Sequence, residues 1–136
     1  MFLPMLAEKQ KYLFLEFAYA MAAADGNIAP EEERIMEAYM AEMELFIKER
    51  PARRALDDIL ADIQSTCDTK TRKIFIFEII GLVMSDGVYD ASEKELMKKA
   101  LRQFSLDAQL EKQCQDLIQE YIKLQQNITA LIMGKE

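Results

Sequence analysis

The chain has 136 residues, 51% of them hydrophobic and 30% charged, which is one domain of ordinary size with enough apolar surface to bury a core unaided. Its 24 acids outnumber 17 bases to give a net charge of −7, which argues against nucleic acid as a partner, because phosphate binding needs a concentrated positive surface. The count of histidines is zero, so Ser–His and Cys–His nucleophiles, the zincin motif and His-containing zinc sites are excluded, and any chemistry must be carboxylate chemistry. Cys67 and Cys114 form no C-x-x-C pair and read as buried small hydrophobes in a reducing cytosol. Four glycines and three prolines predict few, short loops.

The apolar spacing is helical almost throughout. Pro4 suits the first turn of a helix running to about Ala24, with Leu6, Leu13, Phe17 and Met21 on one side. Within it, the stretch from Tyr12 to Ala24 imitates an export signal. Glu16 inside the stretch, the uncharged lead from Met1 to Pro4 and a length too short to span a bilayer all weigh against that, and predict a cytosolic protein with no transmembrane segment. Asp25-Gly26 breaks the helix. A second helix is predicted from Pro30, with Glu31, Glu32 and Glu33 at the positive end of its dipole and a stripe of Ile35, Met36, Tyr39, Met40, Met43, Phe46 and Ile47, ending at Pro51. Leu56, Ile59, Leu60 and Ile63 mark an amphipathic third helix, with Asp57, Asp58 and Asp62 on its solvated side. The fourth, about Lys70 to Ser85, is apolar on nearly every side and reads as a central helix. After Asp86-Gly87 the fifth carries Leu96, Met97, Ala100, Leu101 and Phe104.

Ser105 is placed to cap a sixth helix, from about Asp107 to Met133. Here Leu110, Leu117, Leu124 and Leu131 recur every seven residues, with Cys114, Tyr121 and Ile128 on the complementary register. This seam suits a long helix packed along its own domain, or a homodimer. The expected fold is all-α, a bundle of six to seven helices in a single domain spanning residues 1–136.

A shift of 61 residues aligns two segments, about 10–45 and 71–104: Phe14 falls on Phe75, Met21 on Leu82, Asp25 on Asp86, Gly26 on Gly87, Glu32 on Glu93, Ile35 on Leu96 and Met36 on Met97. The apolar N-terminal stretch thus has an internal twin, which marks it as a structural helix. Each unit reads helix, Asp-Gly, an apolar or aromatic residue, three positions, Glu, helix. Capping accounts for much of this. The glycine suits a left-handed position after a helix end, Ile28 and Tyr89 suit staples, and Asp90 with Glu93 suits a capping box. Asp25 and Asp86 fit less well, since a carboxylate at a helix C-terminus faces the negative end of the dipole. The second reading is a cation site, because Asp-Gly-x-φ-x-x-x-Glu matches the second half of an EF-hand loop. The first half is missing, with Met21 and Ala23, or Leu82 and Met84, at its ligand positions. Neither loop builds a cage alone, but two related by a pseudo-two-fold axis could share one, with Asp25, Glu32, Asp86, Asp90 and Glu93 as donors and calcium, zinc, manganese or magnesium as the ion. A third reading is an acidic surface for docking a protein partner.

With these two units the chain resembles the TerB-like domains of the tellurite-resistance family, which are related to the helical domain of DjlA-type co-chaperones. The resemblance covers about residues 6–130 and rests on Asp25 to Glu32 and Asp86 to Glu93. It implies a bundle with the two loops close together, an acidic patch for metal or partner proteins (other tellurite-resistance proteins among them), and a non-enzymatic, cytoplasmic place in bacterial stress responses, peripheral to the inner membrane where partners hold it there. Co-chaperone activity does not carry over, as the chain has no H-P-D tripeptide. Three smaller features complete the reading. Lys48, Arg50, Arg53 and Arg54 form a basic cluster suited to a helix C-terminus. Glu16 and Glu78 are isolated acids in apolar helices, each either reaching solvent or a cation, or buried with a raised pKa. The nine methionines read mainly as core filling.

Overall fold

A computed structural model describes residues 1–24, 26, 28–46, 54–84 and 89–134. Among these the chain forms a 3-10 turn at Leu3–Met5 and six α-helices: α1 (Glu8–Ala22), α2 (Pro30–Glu42), α3 (Leu56–Thr66), α4 (Thr69–Val83), α5 (Ala91–Gln103) and α6 (Gln109–Met133). No strand occurs in the described residues. Pro4 belongs to the 3-10 turn and not to α1, a departure from the expected start. Leu6 is extended there (ψ 144°), which sends both Leu3 and Leu6 into the core. The first α-helix opens one turn later, where Gln10 Oε1 accepts from the Ala7 amide at 2.8 Å.

The repeat is carried by the helix boundaries themselves. Glu8–Ala22 and Thr69–Val83 stand 61 residues apart at both ends, and so do Pro30–Glu42 and Ala91–Gln103. The terminations match as well. Beyond α2, the Glu44 amide donates to Ala41 O (3.1 Å) and the Leu45 amide to Met40 O (2.8 Å); beyond α5, Ser105 donates to Arg102 O (3.1 Å) and Leu106 to Leu101 O (3.0 Å). Both are Schellman motifs. Each puts a non-glycine residue into the left-handed region, Glu44 at φ 57° and Ser105 at φ 56°.

Two expectations are corrected here. The second helix ends at Glu42, well short of Pro51, so Phe46 leaves the predicted stripe and is 91% exposed, while Ile47 lies outside the described residues. Ser105 ends α5 and does not cap α6, whose first turn is served by Asp107, its Oδ1 accepting from the Gln109 amide at 2.8 Å.

Packing follows the duplication. α1 lies chiefly against α3 and α4 against α6, while α1 crosses α5 and α4 crosses α2, so exchanging the halves preserves the pattern of neighbours. Phe14 and Phe75, equivalent residues of the two units, are both fully buried and meet edge to face with ring centroids 5.4 Å apart. Equivalent residues touch each other only near a pseudo-two-fold axis, so this pair marks it. Phe17, Phe104 and Tyr39 extend the aromatic cluster. α4 is the central helix, burying residues on most of its circumference, while α1 buries one broad face. α6 is different: Cys114 is buried, but from Gln119 to Met133 every residue is exposed except half-buried Ala130.

Candidate functional site

The two acidic helix starts are built alike. Pro30 opens α2 and Ala91 opens α5, in each case after an extended N-cap residue, Ala29 or Asp90. The third residue of each helix is a glutamate that turns back on its own cap: Glu32 Oε1 accepts from the Ala29 amide at 3.0 Å, and Glu93 Oε1 from the Asp90 amide at 3.3 Å. In α5 the reciprocal bond is present, the Glu93 amide donating to Asp90 Oδ1 at 2.8 Å, which completes the expected capping box. Ala29 has no side-chain acceptor, so the first unit keeps half of it. Both glutamates are buried, 5% and 6% exposed, at matching places in the repeat. Burying a carboxylate is costly without compensation, and doing so twice at one register sets this position apart from the solvated acids around it.

Asp25 and Asp86, with Asn27 and Gly87, lie outside the described residues. Gly26 has φ +93°, a conformation that favours glycine, but α1 ends at Ala22, so it stands beyond the C′ position expected for it and its amide donates to Ala23 O at 2.9 Å. Among the described residues no three Asp, Glu or Cys side chains are grouped closely enough to hold a metal ion. Tyr89 is half-buried; burial pushes its pKa up, helped by its hydroxyl donating to Glu111 Oε1 at 2.8 Å, while Lys94 sits 5.6 Å over its ring. This anchors the second loop to the first turn of α6; at the position expected of a staple there is a cation–π contact instead.

The isolated acids divide. Glu16 forms an ion pair with Arg54 at 2.7 Å, and Arg54 also holds Asp62 at 2.7 Å. Arg54 therefore serves α1 and α3 and not the end of a helix as predicted; Lys48, Arg50 and Arg53 lie outside the described residues. Asp57 lies on the solvated face expected for it and pairs there with Lys99 of α5. Glu78 is 5% exposed, and burial raises its pKa against the pull of the Met1 ammonium 3.1 Å away. Cys67 and Cys114 are free and buried, and burial raises both thiols.

Sequence reasoning missed a matched pair of helix-end contacts. Lys11 Nζ donates to Met43 O at 3.0 Å, and its repeat equivalent Arg72 donates from one guanidinium nitrogen to Phe104 O at 3.3 Å and from another to Gln64 O at 2.5 Å. Each cation thus closes the negative end of a neighbouring helix. The 61-residue shift applied to Lys11 and Arg72 was the available signal. A further feature, an apolar groove of about 610 Å³, lies between the N-terminal turn and the starts of α4 and α6; Phe2, Met5, Phe77, Leu110 and Cys114 line it, with Lys70 and Lys73 at its edge.

No helix of the described residues is long and apolar enough to cross a membrane. Neither a protein-family model nor any curated protein sequence matches the chain. One solved structure does: a tellurite resistance protein from Nostoc punctiforme, 18% identical, superposes with a TM-score of 0.71 over 96% of this chain and 84% of that one. The all-helical, duplicated architecture described above is thus the fold of that tellurite resistance protein.

Proposed function

We propose that the chain is a non-enzymatic module of bacterial stress response, acting in the cytoplasm, whose two Asp–Gly loops hold a divalent cation with Asp25, Glu32, Asp86, Asp90 and Glu93 as oxygen donors. The observation that carries this reading is the burial of Glu32 and Glu93 at equivalent places, 5% and 6% exposed, next to loops that each bring a further aspartate. An all-carboxylate donor set suits calcium, magnesium or manganese better than zinc. The tellurite setting comes from the description of the Nostoc protein whose fold is shared, and other resistance proteins are the partners proposed with it. Absence of histidine in the sequence supports a role without catalysis, since no nucleophile has its usual base.

A second reading, a metal-free acidic surface that docks a protein, is favoured by one observation: Asp90 and Glu93 already engage each other in a capping box. The Glu32→Gln/Glu93→Gln variant separates the two, because glutamine keeps the acceptor that caps the helix and loses the charge that binds a cation. Thermal melts of wild type should rise with calcium, magnesium or manganese, by about 2.7 kcal/mol of stability at a hundredfold excess over Kd. The variant should melt like cation-free wild type and not respond. A wild-type melting temperature unmoved by every cation, zinc included, overturns the cation site and leaves the docking surface.

A further inference from the structure

Among the described residues, nothing packs on the second half of α6, from Gln119 to Met133, beyond half-buried Ala130. Leu117, Tyr121, Leu124, Ile128 and Leu131 stand along it at heptad spacing, each between 48% and 80% exposed. A helix of that length is marginal in water without an apolar partner. Together with Ile132 and Met133 at its end, the seam presents on the order of 700 Å² of apolar surface, close to the ~800 Å² per partner of a stable interface.

Charge and register identify the partner. The chain as a whole carries −7, yet from Leu117 to Met133 there is one acid, Glu120, and one base, Lys123, so two copies can meet here without the repulsion that the rest of their surfaces impose. The last turn of α6 has no basic residue to offset the negative end of its dipole. Lys70 and Lys73, both exposed, stand at the edge of the apolar groove, where such an end would be met. In an antiparallel pairing the seam closes with Leu124 opposite Tyr121, Leu117 opposite Ile128, and Leu131 opposite Cys114, each sum being 245. Cys114 and Leu110 line that groove. One two-fold operation therefore covers both unpartnered apolar features at once, as an isologous interface requires.

We infer that two copies of this chain pair through α6, antiparallel about an axis between residues 122 and 123, the end of each helix seating in the groove of the other. The test uses the full chain. Light scattering at micromolar concentration should give twice the 15.7 kDa chain mass for wild type. Leu124→Asp should be monomeric and still unfold cooperatively, because that residue touches no core. Under mild oxidation the Leu117→Cys/Ile128→Cys variant, with both positions exposed, should cross-link position 117 of one copy to position 128 of the other, mapped by mass spectrometry. A monomeric wild type, or a Leu124→Asp protein that stays dimeric, overturns the interface. A link between the two positions 117, or between the two positions 128, overturns the antiparallel register.

Discussion

Two glutamates one residue apart in the repeat register show how position alone decides the chemistry of a side chain. Glu16 lies where its twin is Phe77, on a flank that Arg54 can reach, while Glu78 lies where its twin is Phe17, inside. Burial raises the Glu78 pKa above its unfolded value, so the protonated form is favoured in the folded state. Its contribution to stability is complete below the ordinary glutamate range and is lost as pH rises through the raised folded value. Glu78→Gln, neutral at every pH, should lack that loss. Comparing melts from about pH 4 to about pH 7, the variant should gain on wild type as pH increases and then level off. A difference that stays flat with pH would show that Glu78 titrates like an exposed acid. The Met1 ammonium, raised because its bonds to Glu42 and Glu78 outweigh its desolvation, completes this small ionic cluster.

Helix terminations show where the sequence was readable and where it was not. Apolar spacing located all six helices, and the Asp-x-x-Glu pattern located the cap of α5, since both are signals written in side chains. The end of α2 was not legible. Its Schellman motif is made by backbone groups and uses Glu44, not the glycine or asparagine that announces such a turn, so the apolar stripe ran on to Phe46. The lysine and arginine that close helix ends were hidden within a single unit, because a backbone carbonyl as partner leaves no trace in sequence; only the 61-residue match of Lys11 with Arg72 pointed to them. Left-handed non-glycine residues cost roughly 1 kcal/mol each. Glu44→Gly and Ser105→Gly should therefore each stabilise the fold, by about 0.5–1 kcal/mol after glycine's own entropy is counted, as measured by urea denaturation. Destabilisation by either would show that the side chain itself holds the turn. For the candidate site, Glu32, Asp90 and Glu93 were found from the repeat, but the burial of both glutamates was not, since it depends on how the neighbouring helices cover the caps.

Across the whole molecule the two halves share one core and meet at Phe14 and Phe75. Truncation there removes a fully buried ring on which both halves pack, so Phe75→Ala should cost about 3–5 kcal/mol, read from the denaturation midpoint. A loss well under 2 kcal/mol would mean that the axis can collapse around the gap, as the adaptable methionines nearby would allow. The duplicated pattern was legible because Phe14, Asp25, Glu32 and Met36 each have a chemically similar twin; the two-fold relation needed the pairing of α1 with α5 and of α4 with α2 to be seen. That same Phe14–Phe75 contact bears on how the chain finds its structure in time. Helices form from local contacts, but this pair closes a loop of 61 residues, an entropic barrier of roughly 4 kcal/mol that no single unit can offset alone. We therefore expect the slow step in folding to be the meeting of the two units rather than the formation of either.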